Sequence, residues 1–215
     1  MTSSLNRSLQ PAIDALAVPG IMIGYRTILP GDENALMPEE IAAFNQSVLA
    51  VRRASGAARI VARQLLSRIG VAERALPKGR RGAPVWPDGI VGSMSHNSSI
   101  AVAAVALRRD FIALGIDVEP AEALPSELLD YVATPQEKMR IGEDPYRGRL
   151  LFVAKEAVYK AVYPLDEIFL DHHDVSVSLN NRKAVVNNGR VVNLEFCLSQ
   201  HLLAVAFLRA GDATS

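Results

Sequence analysis

Two short stretches carry the residue types for phosphate chemistry. The first is Gly115-Ile116-Asp117-Val118-Glu119, which follows apolar Phe111-Ile112-Ala113-Leu114 and is closed by Pro120. On a strand, residues two apart point the same way, so Asp117 and Glu119 share a face and Val118 turns to the other. The second is Lys155-Glu156-Ala157-Val158-Tyr159-Lys160, inside a run of helix formers from Leu150 to Val162. Glu156 and Lys160 are four apart and share a helix face. With strand and helix side by side, three carboxylates converge and lysines stand at the rim. Hard oxygen ligands of this kind suit a divalent cation, and Mg²⁺ takes such sites together with substrate phosphates. Either motif alone also has an ordinary reading: solvated acids past a strand end, or a surface Glu–Lys pair worth about a few tenths of a kcal/mol.

Upstream, Gly92-Ser93-Met94-Ser95-His96-Asn97 precedes a small-residue apolar strand, Ser99 to Leu107. His96 is therefore expected at a turn between strands, where its ring and the neighbouring hydroxyls can donate to an anion. Pro38-Glu39-Glu40 opens a helical stretch expected to run to about Ile69, before Gly70. Arg52, Arg53, Arg59 and Arg63 lie along it. They form a solvated basic face or, beside a polyphosphate, guanidinium ligands for it. Pro77 to Gly92 reads as a Gly-, Pro- and base-rich loop with Lys78, Arg80, Arg81 and a single Trp86, which is either a lid residue or a core plug, the plug being the commoner case.

These motifs need elements to hold them. Ile21 to Ile28 reads as a buried strand after a loosely ordered or briefly helical start. Thr134-Pro135-Gln136-Glu137 has the form of a capping box, with a helix after it. The Gly142 to Gly148 loop then interrupts, and a helix is expected from Arg149 to Tyr163. Strands follow at Val175 to Leu179, Lys183 to Val186, Val191 to Cys197 and Leu202 to Leu208, with hairpin turns at Asn180-Asn181 and Asn187-Asn188-Gly189. His96 and His201 each precede an Ala-Val-Ala strand, and both halves run strand, long helix, strands. That echo implies two similar α+β subdomains, 1–108 and 109–215, with a ligand cleft between them. A chain holding both halves can build the cleft alone, so a monomer is expected.

The 215 residues carry a formal net charge of +0, which gives no sign of attraction to nucleic acid or membrane. No apolar run reaches the length of a membrane span, and the polar N-terminus lacks a signal-peptide core. Cys197 is the lone cysteine, expected to be a buried apolar residue in a reducing compartment. A cytoplasmic location is expected.

The motif order is W-P-x-G-x-x-G-S-x-S-H (Trp86 to His96), G-I-D-V-E (Gly115 to Glu119) and F-x-A-K-E-A-x-Y-K-A (Phe152 to Ala161). It resembles the 4′-phosphopantetheinyl transferases, in their surfactin-type class and nearest its enterobactin synthase component D branch. Thr134 to Glu137 and Leu170 to Val175 also look like family segments. The resemblance implies the pseudo-symmetric two-subdomain fold of that family. It implies transfer of the phosphopantetheine arm of coenzyme A to a serine of an apo acyl carrier protein or peptidyl carrier domain, releasing adenosine 3′,5′-bisphosphate. Mg²⁺ would be held by Asp117, Glu119 and Glu156. Ser95 and His96 would contact the phosphates, with Lys155 and Lys160 against the diphosphate and active in catalysis. Lys78, Arg59 and one of Arg52 and Arg53 would hold the nucleotide end. Glu156, directly or through a water, would be the base. The branch leans toward siderophore-type peptide synthetases. The sequence departs from the family pattern at Val51 to Arg59, where an acid and an aromatic are missing, and at Asn97 and Val153. The competing readings are another Mg²⁺-dependent enzyme acting on phosphate esters, or a non-catalytic module binding coenzyme A or a carrier.

Overall fold

The computed structural model describes residues 2–16, 18–72, 74–79 and 82–213. Helix α1 (Thr2–Ala15) leads into strand β1 (Ile21–Thr27). A short helix α2 (Pro38–Ile41) and the long α3 (Leu49–Arg68) follow, then β2 (Ile90–His96) and β3 (Ile100–Leu107). The second half holds β4 (Phe111–Pro120), α4 (Ser126–Val132), α5 (Pro135–Ile141), α6 (Pro145–Asp166), β5 (Val175–Ser178), β6 (Lys183–Val186), β7 (Val191–Leu198) and β8 (His201–Arg209).

Two antiparallel sheets result, ordered β1-β3-β2 and β4-β8-β7-β6-β5. The repeat expected from the sequence is visible in this order. Strand–helix–strand–strand (β1, α3, β2, β3) recurs as β4, α6, β7, β8, and β1-β3-β2 matches β4-β8-β7. The hairpin β5–β6 extends the second sheet alone.

Each half has its own helix-on-sheet core. Val61, Leu65 and Leu66 of α3 pack on Ala103 and Val105, with Trp86 partly buried against them. Ala154, Ala157 and Val158 of α6 pack on Ala113, Ala204 and Ala206. A third apolar layer joins the halves: Leu114, Ile116 and Val118 of β4 and Val205 of β8 meet Val102 and Ala104 of β3, closed by Leu9 and Ile13 of α1. Strand β4 is thus apolar toward that shared layer. Its other face, with Gly115, Asp117 and Glu119, looks toward α6.

Four expectations about elements change, the first being that the loop read from Pro77 to Gly92 ends early, since β2 starts at Ile90 and pairs there with Leu107 of β3. The stretch from Pro38 to Ile69 is two helices rather than one. Glu40 is buried, accepting from Arg63 and from the Leu76 amide, so the first segment turns inward, and Val48 is extended ahead of α3. Helix α6 begins at Pro145, capped by the Asp144 carboxylate accepting from the Tyr146 amide, so Gly148 is helical. It also runs through Pro164 to Asp166, because a proline in the last turn forfeits only one backbone hydrogen bond. The capping box at Thr134 and Glu137 is formed as expected.

Candidate active site

The edge strands β2 and β4, one from each sheet, run past each other, and α6 packs on β4. Helix α6 can approach β4 closely because Gly115 lacks a side chain: a Cβ there would stand 1.9 Å from the Ala157 carbonyl oxygen. That approach lowers Lys160 onto Asp117.

The Lys160 Nζ donates to Asp117 Oδ1 at 2.6 Å and to Ser95 Oγ at 2.9 Å. Ser95 Oγ itself donates to Asp117 Oδ1 at 2.6 Å. One residue each from β2, β4 and α6 therefore forms a closed triangle. Asp117 and Ser95 are buried, and Lys160 is partly exposed. Asp117 Oδ2 is buried with no hydrogen-bond partner among the described residues. An orphaned carboxylate oxygen in such a place is costly.

Glu119 lies two residues on, with Oε2 at 3.5 Å from the Arg149 guanidinium. Its pKa is raised, first by burial, then by Asp117; Arg149 and Lys160 oppose the rise and Glu156 adds to it. Glu156 Oε1 stands 3.1 Å from His172 Nε2, and the His172 ring stacks on Phe152. The three acids expected to share an ion thus feel one another, but each side chain is turned to a separate cation or ring. Among the described residues, no three His, Cys, Asp or Glu side chains stand ready to hold a metal ion. The orphaned Asp117 oxygen and the strained ionisation of Glu119 are what a bound cation would relieve.

His96 ends β2 and keeps solvent-facing surface, as its place before a turn implies. Its pKa is lowered, chiefly by the protein crowding its ring and then by Lys160. A cavity of about 240 Å³ opens between Trp86, Ser93 and Met94 of the first half and Glu156, Tyr159, Lys160 and Tyr163 of the second.

The other basic candidates divide. Lys155 does not face the cavity. Its Nζ is buried and donates to Glu137 Oε2 at 2.7 Å, Val132 O at 2.7 Å and His172 O at 2.8 Å, so all three protons are used. Burial lowers its pKa despite Glu137. Its expected place against the diphosphate is corrected to that of a buried tie. Arg59 is corrected likewise: it is buried, donating to Leu76 O and Ser55 O and paired with Glu40 at 3.3 Å. Arg53 pairs with Glu33 at 3.0 Å. Lys78 Nζ rests 3.9 Å from the centre of the Phe44 ring, its pKa lowered by burial and by Arg59. Arg52 is exposed. Arg80 and Arg81 lie outside the described residues.

Arg149 and His172 were not singled out by role in the sequence, yet both touch the acids. Arg149 carried a signal: it lies seven residues before Glu156, two helical turns, on the same face. His172 carried none beyond its place in a family-like segment.

Profiles of known families place this arrangement. Residues 39–106 match the 4′-phosphopantetheinyl transferase N-terminal domain, and residues 113–206 match the 4′-phosphopantetheinyl transferase superfamily. The chain belongs to that superfamily. It is 37% identical over 177 residues to the 4′-phosphopantetheinyl transferase Npt of Nocardia iowensis, covering 76% of this chain and 80% of Npt. To the 4′-phosphopantetheinyl transferase Svp of Streptomyces mobaraensis it is 40% identical over 161 residues, 72% of this chain and 65% of Svp. Enterobactin synthase component D of Salmonella typhi follows at 36% over 112 residues, 49% of this chain and 45% of that protein. The chain thus spans just under two thirds of Svp and under half of the enterobactin protein.

Proposed function

We propose that this chain transfers the phosphopantetheine arm of coenzyme A to a serine of an apo carrier protein. The observation that carries the reading is the Ser95–Asp117–Lys160 triangle at the junction of the two sheets, with one Asp117 oxygen left over. The names of the relatives and the family membership support the same reaction.

In this reading the two halves act as subdomains 1–108 and 109–215. The diphosphate of coenzyme A lies over Lys160, Ser95 and His96. The Lys160 ammonium and the His96 ring donate to the phosphate oxygens, while the Ser95 hydroxyl, whose one proton goes to Asp117, holds Lys160 and Asp117 together beneath them. Arg52 and Lys78 are the basic residues left to meet the nucleotide end, since Arg53 and Arg59 are occupied. Asp117, Glu119 and Glu156 would hold Mg²⁺. When bound, that ion would supply positive charge to stabilise the departing phosphate. The carrier serine oxygen forms a bond to the phosphorus bearing the pantetheine arm. The bond from that phosphorus to the bridging oxygen breaks, and adenosine 3′,5′-bisphosphate leaves with the electron pair. Glu156 receives the serine proton, directly or through one water. Most of the catalysis is positioning and charge, because phosphoryl transfer asks little else of a protein.

The protein acts as a cytoplasmic monomer in this reading, on peptide-synthetase or acyl carriers. Among the described residues no helix is long and apolar enough to cross a membrane.

Intact-mass spectrometry of an apo carrier, incubated with the chain, coenzyme A and Mg²⁺, tests the proposal. A gain of one phosphopantetheine that needs all three components is expected. Glu156→Gln is expected to slow that gain by about 10³-fold while retaining the thermal transition. An unchanged carrier mass, or a Glu156→Gln rate near wild type, would contradict it.

A further inference from the structure

The turn that presents His96 is held by a residue of the other half. Asn97 accepts at Oδ1 from the Ser99 amide at 2.9 Å, the Ile100 amide at 3.0 Å and the Ser99 hydroxyl at 3.1 Å. Three donors on one atom identify that atom as the carboxamide oxygen. The other atom is then the NH₂ group, and it stands 3.1 Å from His201 Nδ1. A donor facing that nitrogen requires it to be the acceptor. His201 is therefore neutral, with its proton on Nε2, and burial lowers its pKa in the same direction.

His201 is well placed to act at a distance. It opens β8 in register with Pro120 of β4, one position beyond the pairing of Leu202 with Glu119. Its side chain is buried, and its Nε2 has no hydrogen-bond partner among the described residues. Packing alone would favour an apolar residue there, because the ring leaves a polar atom unsatisfied. What the imidazole adds is the acceptor for Asn97. That bond ties the β2–β3 turn of the first sheet to the strand pair of the second sheet that carries Asp117 and Glu119.

We propose that His201 is a positioning residue for the diphosphate of coenzyme A, acting through Asn97 to fix His96 relative to the acids. The inference rests on the reading of His96 as a phosphate contact. Isothermal titration of coenzyme A with Mg²⁺ tests it without turnover. His201→Leu keeps the bulk and removes the acceptor, and is expected to weaken binding by about tenfold, the worth of one hydrogen bond. His201→Gln, whose amide reaches past the Nδ1 position, should behave the same way. His201→Asn puts an oxygen where Nδ1 stood and should bind within about threefold of wild type. His96→Ala should also weaken binding, and His96→Ala with His201→Leu should be no worse than His96→Ala alone, since coupled residues are not additive.

Wild-type affinity in both His201→Leu and His201→Gln would overturn the inference and leave the His96 reading standing. So would additive losses in the double variant, which mean a purely structural part for His201. Unchanged affinity in His96→Ala would overturn the reading beneath it, and the inference with it. If His201→Leu does not fold, the contrast between Gln and Asn at 201 decides alone.

Discussion

Lys155 and Lys160 sit in one motif and do opposite things. They are five residues apart, about 140° around a helix, so they cannot both face one ligand. Lys160 meets Asp117 and Ser95 at the cavity, and Lys155 points into α5 and the 172 loop. Removing Lys155 strands a buried Glu137 carboxylate. Lys155→Met should cost about 3–5 kcal/mol of stability by chemical denaturation. The KM for coenzyme A of the folded fraction should be unchanged; a raised KM with normal stability would return Lys155 to the phosphates. Lys160→Ala should instead reduce kcat/KM by about a hundredfold or more. Spacing put Asp117 and Lys160 on facing elements, and the structure joins them, whereas Glu119 and Glu156, expected beside them, are turned to Arg149 and His172. The burial of Arg59 and Lys155 was not legible in the sequence, because each is paired to an acid, Glu40 or Glu137, far off in the chain.

At the scale of elements, the strand and helix carrying the acids meet through a glycine. Gly115→Ala would set a methyl 1.9 Å from the Ala157 carbonyl, so α6 must lift from β4. A loss of about 1–3 kcal/mol is expected, together with a fall in activity, as Lys160 leaves Asp117. A variant of full stability and activity would show that α6 has room to move. The start of α3 gives a pH signature. Arg53, by its hydrogen bond first, holds the Glu33 carboxyl down to about 2. The unfolded value is about 4.3. A depressed folded pKa contributes stability above the unfolded value and loses it as pH falls toward 2. Glu33→Gln should therefore flatten the Tm slope between about pH 4.3 and 2; an unaltered slope would separate the pair from stability. Most strands and the Thr134 cap were readable from apolar runs and turn residues, but the start of β2 at Ile90 fell inside the stretch read as a loop. The break before α3 was not readable, since it depends on Glu40 finding Leu76 and Arg63.

Across the whole molecule, the repeat is unequal at the position of Asp117. Gly24 pairs with Ala103 in β1–β3 as Gly115 pairs with Ala206 in β4–β8. Two residues on, Arg26 faces Ala101 where Asp117 faces Ala204. The first half thus places a cation at the position of the acid, and Arg26 is closed off by Asp32 at 2.7 Å. In the proposed reading, chemistry falls to the seam where β2 brings Ser95 and His96 to β4. The sequence echo at His96 and His201 pointed to the repeat but gave no means of knowing that the two turns touch. The most direct test of the account is a crystal structure with coenzyme A and Mn²⁺, read by anomalous scattering. The account predicts one metal peak touching Asp117 and the diphosphate, with Glu156 swung from His172 to join it and Lys160 on the phosphates. A diphosphate bound away from Lys160, or an ion that leaves Asp117 untouched, would contradict it.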